Sequence, residues 1–346
     1  MKKPEISLVV PVLNEEEAVP IFLAEIALVL AALGLCHEIV FIDDGSTDRT
    51  AEVIRDHACR DPSIRLVRLT RNFGKEAALT AGLDVASGEA VILMDVDLQD
   101  PPALLAEFVR LWRKGYDVVY GQRIERTSDS LAKRATAGLF YNIFNRVSDQ
   151  KIEPNVGDFR LMTRPVVEAT RLLRERNRFM KGLFAWVGFR SVGVPYTRTP
   201  RSAGTTKFNY WKLWNFALDG VTSFSTAPLR IWTYIGLMVA LCAVIYTIIV
   251  LVQTLAFGRD VPGYASLMMV VLMLGAVQIV SLGVLGEYIG RLYMESKHRP
   301  IYLVSEMIGL DRPAAIDAHA GTAVRVPPVM TDLPQQARGL GHGTSR

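Results

Sequence analysis

Two apolar stretches, residues 231–257 and 261–286, carry no charged side chain, and they constrain the rest of the chain. Each is long enough to cross a hydrocarbon core of about 30 Å at about 1.5 Å per residue. A pair of buried core helices is the alternative reading, but globular helices of this length keep a polar face. Only Gly258, Arg259 and Asp260 separate the two stretches, Arg230 precedes the first, and Arg291, Lys297 and Arg299 follow the second. The preference of Lys and Arg for the cytoplasmic side then predicts a hairpin of two transmembrane helices, about 231–257 and 261–289, with both termini in the cytoplasm. The opening MKKPEISLVVPVLNEE has too short an apolar run for a signal peptide. The expectation is a multi-pass protein of the plasma (inner) membrane whose N-terminal domain is cytoplasmic.

The first 120 residues follow a different pattern. ISLVVPVL, HEIVFIDD, IRLVRL, AVILMDVD and YDVVYG read as strands, and amphipathic segments near 16–33, 48–59, 75–87 and 102–114 read as helices between them. This alternation predicts an α/β domain with a mostly parallel sheet. Ligands of such sheets bind beyond the carboxyl ends of the strands, where PVLNEE, DDGSTD, RNFGKE and DVDLQD all fall.

Why a hydrophobic strand should run into acids at VILMDVDLQDPP follows from charge. Extended backbone would put Asp95 and Asp97 on one side and turn Val96 into packing. Two carboxylates held together call for a cation. A hard divalent ion, Mg²⁺ or Mn²⁺, with a diphosphate completing its shell, fits oxygen ligands; a solvated acidic turn is the alternative. The chain has neither GxxxxGK[ST] nor GxGxxG after the first strand, which argues against an ATPase or a dinucleotide enzyme. Asp43 and Asp44 are placed to accept hydrogen bonds from a base or ribose, Gly45 and Ser46 turn the chain into a helix that Ser46 could cap, and Asn72 and Lys75 share the same rim. Lys75 is a candidate diphosphate contact.

A net charge of +4 over 346 residues creates no global field aimed at nucleic acid. Cys36, Cys59 and Cys242 are scattered, which suits a reducing compartment and argues against a zinc site or a disulfide framework.

PVLNEE, DDGSTDRT, RNFGKEAAL and MDVDLQDPP resemble the donor-site motifs of glycosyltransferase family 2. YDVVYGQR, GDFRLMTR, ERNRFMKGLFAWVGF, RSAGTTK and LWNFALDGVTSFSTAPLRI, followed by two spans, are similar to the bacterial polyisoprenyl-phosphate members of that family, the bactoprenol glucosyltransferase type, relatives of dolichol-phosphate mannose synthase. The resemblance covers roughly residues 5–305. It implies a GT-A nucleotide-sugar-binding fold and transfer of a sugar, glucose from UDP-glucose by closest resemblance, to undecaprenyl (polyisoprenyl) phosphate. It places Pro11, Asn14, Glu15, Asp43 and Asp44 in the nucleotide pocket with Asn72 and Lys75, sets Asp95 and Asp97 on the metal, and puts Gln99 beside it. Asp97, Asp158 and Arg160 become the catalytic candidates, Asp158 serving either as a base or as the orienter of Arg160. The resemblance also implies a homo-oligomer, a tetramer. Asp100 and the prolines after it shape the turn. Val96 stands where alanine is commoner in the family.

The acceptor side is argued from chemistry. A lipid phosphate is already anionic, so it needs cations at the membrane boundary more than it needs a base. Arg123, Arg134, Arg160, Arg201 and Lys207 are the candidates, since guanidinium forks match phosphate oxygens. Direct attack by that phosphate in one displacement implies inversion at the sugar carbon. Segments 130–148 and 208–226 read as interfacial amphipathic helices, with ordinary core-packing helices as the alternative. The expected organisation is a catalytic domain over 1–228, the hairpin within 229–293, a juxtamembrane segment over 294–310 and a disordered Pro- and Gly-rich tail over 311–346. Three rivals stay open: another sugar (mannose, an aminosugar or a modified pentose), a non-catalytic membrane scaffold that binds nucleotide sugar, and a processive synthase, which the lack of QxxRW disfavours.

Overall fold

The computed structural model describes residues 3–124, 156–173, 175–176, 178, 180–197, 227–257 and 263–310. Segments 130–148 and 208–226, the tail over 311–346, Arg134, Arg201 and Lys207 lie outside the described residues.

The expected alternation forms. Strands β1 (Ile6–Val12), β2 (His37–Asp43), β3 (Ile64–Leu69), β4 (Ala90–Leu93) and β5 (Val118–Arg123) are joined by helices α1 (Ala18–Leu33), α2 (Thr50–Arg60), α3 (Lys75–Val85) and α4 (Leu104–Arg113). Then come β6 (Val156–Thr163), α5 (Arg164–Leu172), α6 (Met180–Trp186) and β7 (Ser191–Tyr196). Two long helices, α7 (Ala227–Phe257) and α8 (Tyr264–Ser296), and a last strand, β8 (Val304–Ile308), complete the described chain.

The eight strands form one sheet in the order β7-β5-β6-β4-β1-β2-β3-β8. Four pairings are parallel and three antiparallel, the antiparallel ones being β4 with β6, β5 with β6, and β3 with β8. Strand β1 lies inside the sheet and is covered on both faces, which is why it reads as a nearly unbroken apolar run. Its Ile6, Leu8, Val10 and Val12 pack with Phe22, Ile54 and Phe108 from α1, α2 and α4. Its Val9 packs on the other face with residues of α3, α5 and α6, among them Leu79, Val166 and Leu183.

Strand β4 ends at Leu93, earlier than its sequence predicts, so Asp95 and Asp97 lie in the turn that follows and not on a strand face. Val96 between them is nevertheless buried while both aspartates stay partly exposed. Leu98 with φ 54° turns the chain before the two prolines. The start of α2 departs from expectation as well. Ser46 does not cap it; Asp48 accepts the Thr50 N–H at 3.0 Å and the Thr50 hydroxyl at 2.6 Å.

Helix α7 covers the first expected span, and α8 covers the second from Tyr264 onward. Among the described residues, Ser266–Ser296 is long and apolar enough to cross a membrane, with none of it buried in the protein. The chain then returns to the domain it left. Strand β8 pairs with β3, the Thr70 N–H donates to the Leu303 carbonyl at 2.9 Å, and Arg55 meets Glu306 at 2.9 Å.

Candidate active site

Because β1 to β4 run parallel, the loops after Val12, Asp43, Leu69 and Leu93 open on one edge of the sheet. Asn14 joins the first two. Its N–H donates to the Ser46 hydroxyl at 2.9 Å and its side-chain oxygen accepts the Thr47 N–H at 2.8 Å, geometry that needs its φ of 55°. The Glu15 N–H donates to the Thr50 hydroxyl at 2.8 Å. Asp43, fully buried, accepts the Ser46 N–H at 2.8 Å and faces Arg68 at 3.2 Å. Gly45 has φ 75°, and a Cβ there would run into the backbone of Arg71, so this turn is closed to other residues.

Asp44 reaches across to the third loop. Its two carboxylate oxygens accept the N–H groups of Phe73 at 2.7 Å and Gly74 at 2.9 Å. Burial raises its pKa, and those two bonds work against the rise. Asp44 therefore shapes the RNFGK loop, while Asn72 stays exposed on the rim and Pro11 stays within β1.

The fourth loop meets a strand from far along the chain. β6 runs antiparallel to β4 with Arg160 opposite Leu93, so the N-terminal half of β6 lies beside the turn that carries Asp95 and Asp97. Lys75, the first residue of α3, sits between them. Its ammonium is 2.7 Å from Asp95 Oδ1, 2.8 Å from Asp95 Oδ2 and 2.9 Å from Asp158 Oδ2. Loss of water around the pair opposes charge on both partners, although the Lys75 side chain is still 43% exposed, and the mutual attraction wins: the Lys75 pKa is raised, by Asp158 and then Asp95, and that of Asp158 is pulled down to about 2, by Lys75 and then Lys181.

Glu76 and Lys181 complete this cluster; both lie inside motifs of the sequence, RNFGKEAAL and ERNRFMKGLFAWVGF, but neither is among the site residues expected from it. Glu76 accepts the Met180 N–H at 3.2 Å, and burial first, then Asp158, pushes its pKa up to about 7.

Arg160 was expected both at the catalytic centre and in the phosphate clamp, but it is 5 % exposed. It stacks on Phe184 at 4.0 Å and donates to the Gly157 carbonyl at 2.9 Å, and burial lowers its pKa to about 10. It therefore backs Asp158 from inside the domain and does not stand among cations at the open edge. Arg123 does reach that edge, at the end of β5. It donates to the Tyr196 hydroxyl at 3.1 Å and lies 3.7 Å from Asp100, to which the same hydroxyl donates. Asp100 is thus bound into the turn. Gly157 lets the Arg123 guanidinium approach, since a Cβ there would come within 2.9 Å of Nη2.

Asp97 Oδ1 accepts the Gln99 N–H at 3.2 Å, which braces the turn. Among the described residues no three His, Cys, Asp or Glu side chains converge as a metal cage. Two partly exposed carboxylates fit a hard divalent ion that takes its other ligands from water and a diphosphate.

Residues 7–171 match the model of glycosyl transferase family 2, and residues 227–292 match that of the GtrB C-terminal hairpin. The bactoprenol glucosyl transferase of Shigella phage SfV is 54% identical over 300 residues, 87% of this chain and 98% of that protein. The chain belongs to glycosyl transferase family 2. Similarity of the same extent links it to an uncharacterized glycosyltransferase of Synechocystis sp., 52% identical over 89% of this chain and 96% of that one. A prophage bactoprenol glucosyl transferase homolog of Escherichia coli is 52% identical over 88% and 99%. As a member of the family the chain is a glycosyltransferase with a GT-A type α/β domain and a C-terminal hairpin that associates with the membrane.

Proposed function

We propose that this glycosyltransferase moves glucose from UDP-glucose to undecaprenyl phosphate at the cytoplasmic face of the plasma membrane, with inversion at the sugar carbon. The reading is carried by identity of 52–54% over almost the full length of proteins named as bactoprenol glucosyl transferases or their homologues. The clustering of Lys75, Asp95 and Asp158 at the open edge of the sheet supports it.

In this reading Asn14, Glu15 and Asp43 frame the nucleotide pocket, with Asp44 holding the loop of Asn72 and Lys75 against it. Asp95 and Asp97 would hold Mg²⁺ or Mn²⁺, which supplies Lewis-acid neutralisation of the departing nucleoside diphosphate. Lys75 adds a fixed positive charge beside the diphosphate. The acceptor needs little activation, because the second pKa of a phosphomonoester lies near 6. Asp158, paired with Lys75, therefore serves to orient that lysine, and the reaction needs no base there. Arg123 is one arm of the acceptor clamp, with Arg134, Arg201 and Lys207 as the others.

The return of β8 to the sheet supports a hairpin whose two ends lie on the side of the catalytic domain. A cysteine replacing Gly258 should label from outside intact cells, and a reporter fused after Leu310 should be cytoplasmic; the reverse pattern would overturn the topology. The central experiment incubates membranes containing the protein with undecaprenyl phosphate and a panel of nucleotide sugars, then identifies the lipid product by mass spectrometry and NMR. A β-linked glucosyl phosphate lipid is expected. A different sugar would correct the donor, an α-linked product would remove single displacement, and no transfer from any donor would favour a binding scaffold.

A further inference from the structure

Lys75 stands where a lysine is locally disfavoured. It is the first residue of α3, and the N-terminus of a helix carries partial positive charge that repels a cation. What holds it there is the pair of carboxylates it bridges, both oxygens of Asp95 at 2.7 and 2.8 Å and one oxygen of Asp158 at 2.9 Å. A compact ammonium with three rotatable donors suits a bridge of this kind better than a planar guanidinium.

Asp95 is also one of the two carboxylates assigned above to the metal. A divalent ion on Asp95 and the Lys75 ammonium at 2.7 Å from the same carboxylate compete for its oxygens and repel each other. We propose that Lys75 is an internal counter-ion that occupies Asp95 until a nucleoside diphosphate arrives, so that metal and diphosphate bind as a pair. The incoming diphosphate gives Lys75 a new anionic partner, Asp95 is handed over to the metal, and Asp158 keeps the lysine from swinging out of the site. Asp44 limits the distance travelled, since it pins Phe73 and Gly74 immediately before Lys75. This inference rests on the metal assignment under Proposed function.

The test is calorimetric titration of Mn²⁺, with electron paramagnetic resonance of the bound ion, on the full chain in detergent, with and without UDP. The wild type should bind Mn²⁺ weakly alone and roughly ten- to a hundredfold more tightly with UDP, the range of one charge-assisted contact. Lys75→Met should bind Mn²⁺ alone roughly tenfold more tightly than the wild type, and its gain from UDP should shrink; Lys75→Arg, which keeps the charge but not the compact bridge, should fall between the two. Unchanged or weaker Mn²⁺ binding by Lys75→Met, in protein whose melting profile is intact, overturns the proposal; Lys75→Gln serves in its place if Lys75→Met does not fold. Asp95→Asn separates the two readings. If it abolishes Mn²⁺ binding while Lys75→Met leaves affinity unmoved, only the counter-ion role is lost. If Mn²⁺ binds no variant, with or without UDP, the metal assignment and the counter-ion role fall together.

Discussion

Tyr302 donates its hydroxyl to Asp84 at 2.7 Å, joining residues 218 positions apart, with both side chains almost completely buried. The pair fastens the chain leaving α8 to the C-terminal end of α3, the helix whose first residue is Lys75. Arg176 adds a second tie, its N–H donating to Glu295 at 3.2 Å and its guanidinium to the Met294 carbonyl at 3.0 Å. The C-terminal end of α8 and the chain after it are therefore tied to the catalytic domain at two points besides β8.

Removing the Tyr302 hydroxyl tests the first of these ties. Tyr302→Phe deprives a buried carboxylate of a donor and should cost about 1–3 kcal/mol of stability. Thermal unfolding in detergent should show a lower midpoint, and proteolysis between residues 297 and 303 should speed up. An unchanged midpoint would mean that β8 and the Arg176 contacts anchor this end without help from Tyr302.

Asp97 should matter for chemistry and little for folding, because it lies in a turn and is partly exposed. Asp97→Asn is expected to abolish transfer with an unaltered melting profile. Chelator should reproduce the loss in the wild type, with rescue by Mg²⁺ or Mn²⁺. Full activity in excess chelator would remove the metal from the site.

Glu76 sets a pH dependence of known sign. Its pKa rises from an ordinary 4.5 to about 7, so between those values the folded protein holds a proton that the unfolded chain has released. Stability from this group therefore declines as pH rises through that window. Asp158 contributes in the opposite sense, with stability present above its ordinary 3.8 and lost only as pH falls towards about 2, so it does not mask the effect. Denaturant titrations from about pH 5 to 7 should show a flatter profile for Glu76→Gln than for the wild type. Parallel profiles would remove the burial of Glu76 as their cause.

Gly157→Ala is a probe of Arg123. The new methyl group would press on the guanidinium, the movable end of a long side chain, from 2.9 Å. The fold should tolerate it, while use of the lipid phosphate falls by roughly ten- to a hundredfold, the worth of one charge-assisted contact. Titrating donor and acceptor separately reads the difference. A loss confined to the donor would take Arg123 out of the acceptor clamp.

Much of this site was legible because it is written locally. Short apolar runs marked β1 to β5 and amphipathic stretches between them marked α1 to α4, and the donor motifs fell in loops whose place follows from parallel strands. The charge-free stretches likewise located α7 and α8, since the length of an apolar run is a one-dimensional property. Details that hinge on a single bond went differently. Asp48 takes the helix start from Ser46 because Ser46 is already engaged by Asp43 and Asn14, partners that only the assembled loops bring near.

What the sequence by itself determined, then, was the alternation of elements, the family motifs and the hairpin. Tertiary structure decided which distant residues share the site. Asp158 reaches Lys75 because β6 enters antiparallel beside β4, and Glu76 reaches Met180 because α6 packs over the start of α3. β8 comes back to β3 across the whole hairpin. None of these meetings leaves a local pattern, because where a strand such as β6 or β8 joins the sheet is set by which backbone groups and which apolar face remain to be covered, and that is settled only by the rest of the sheet.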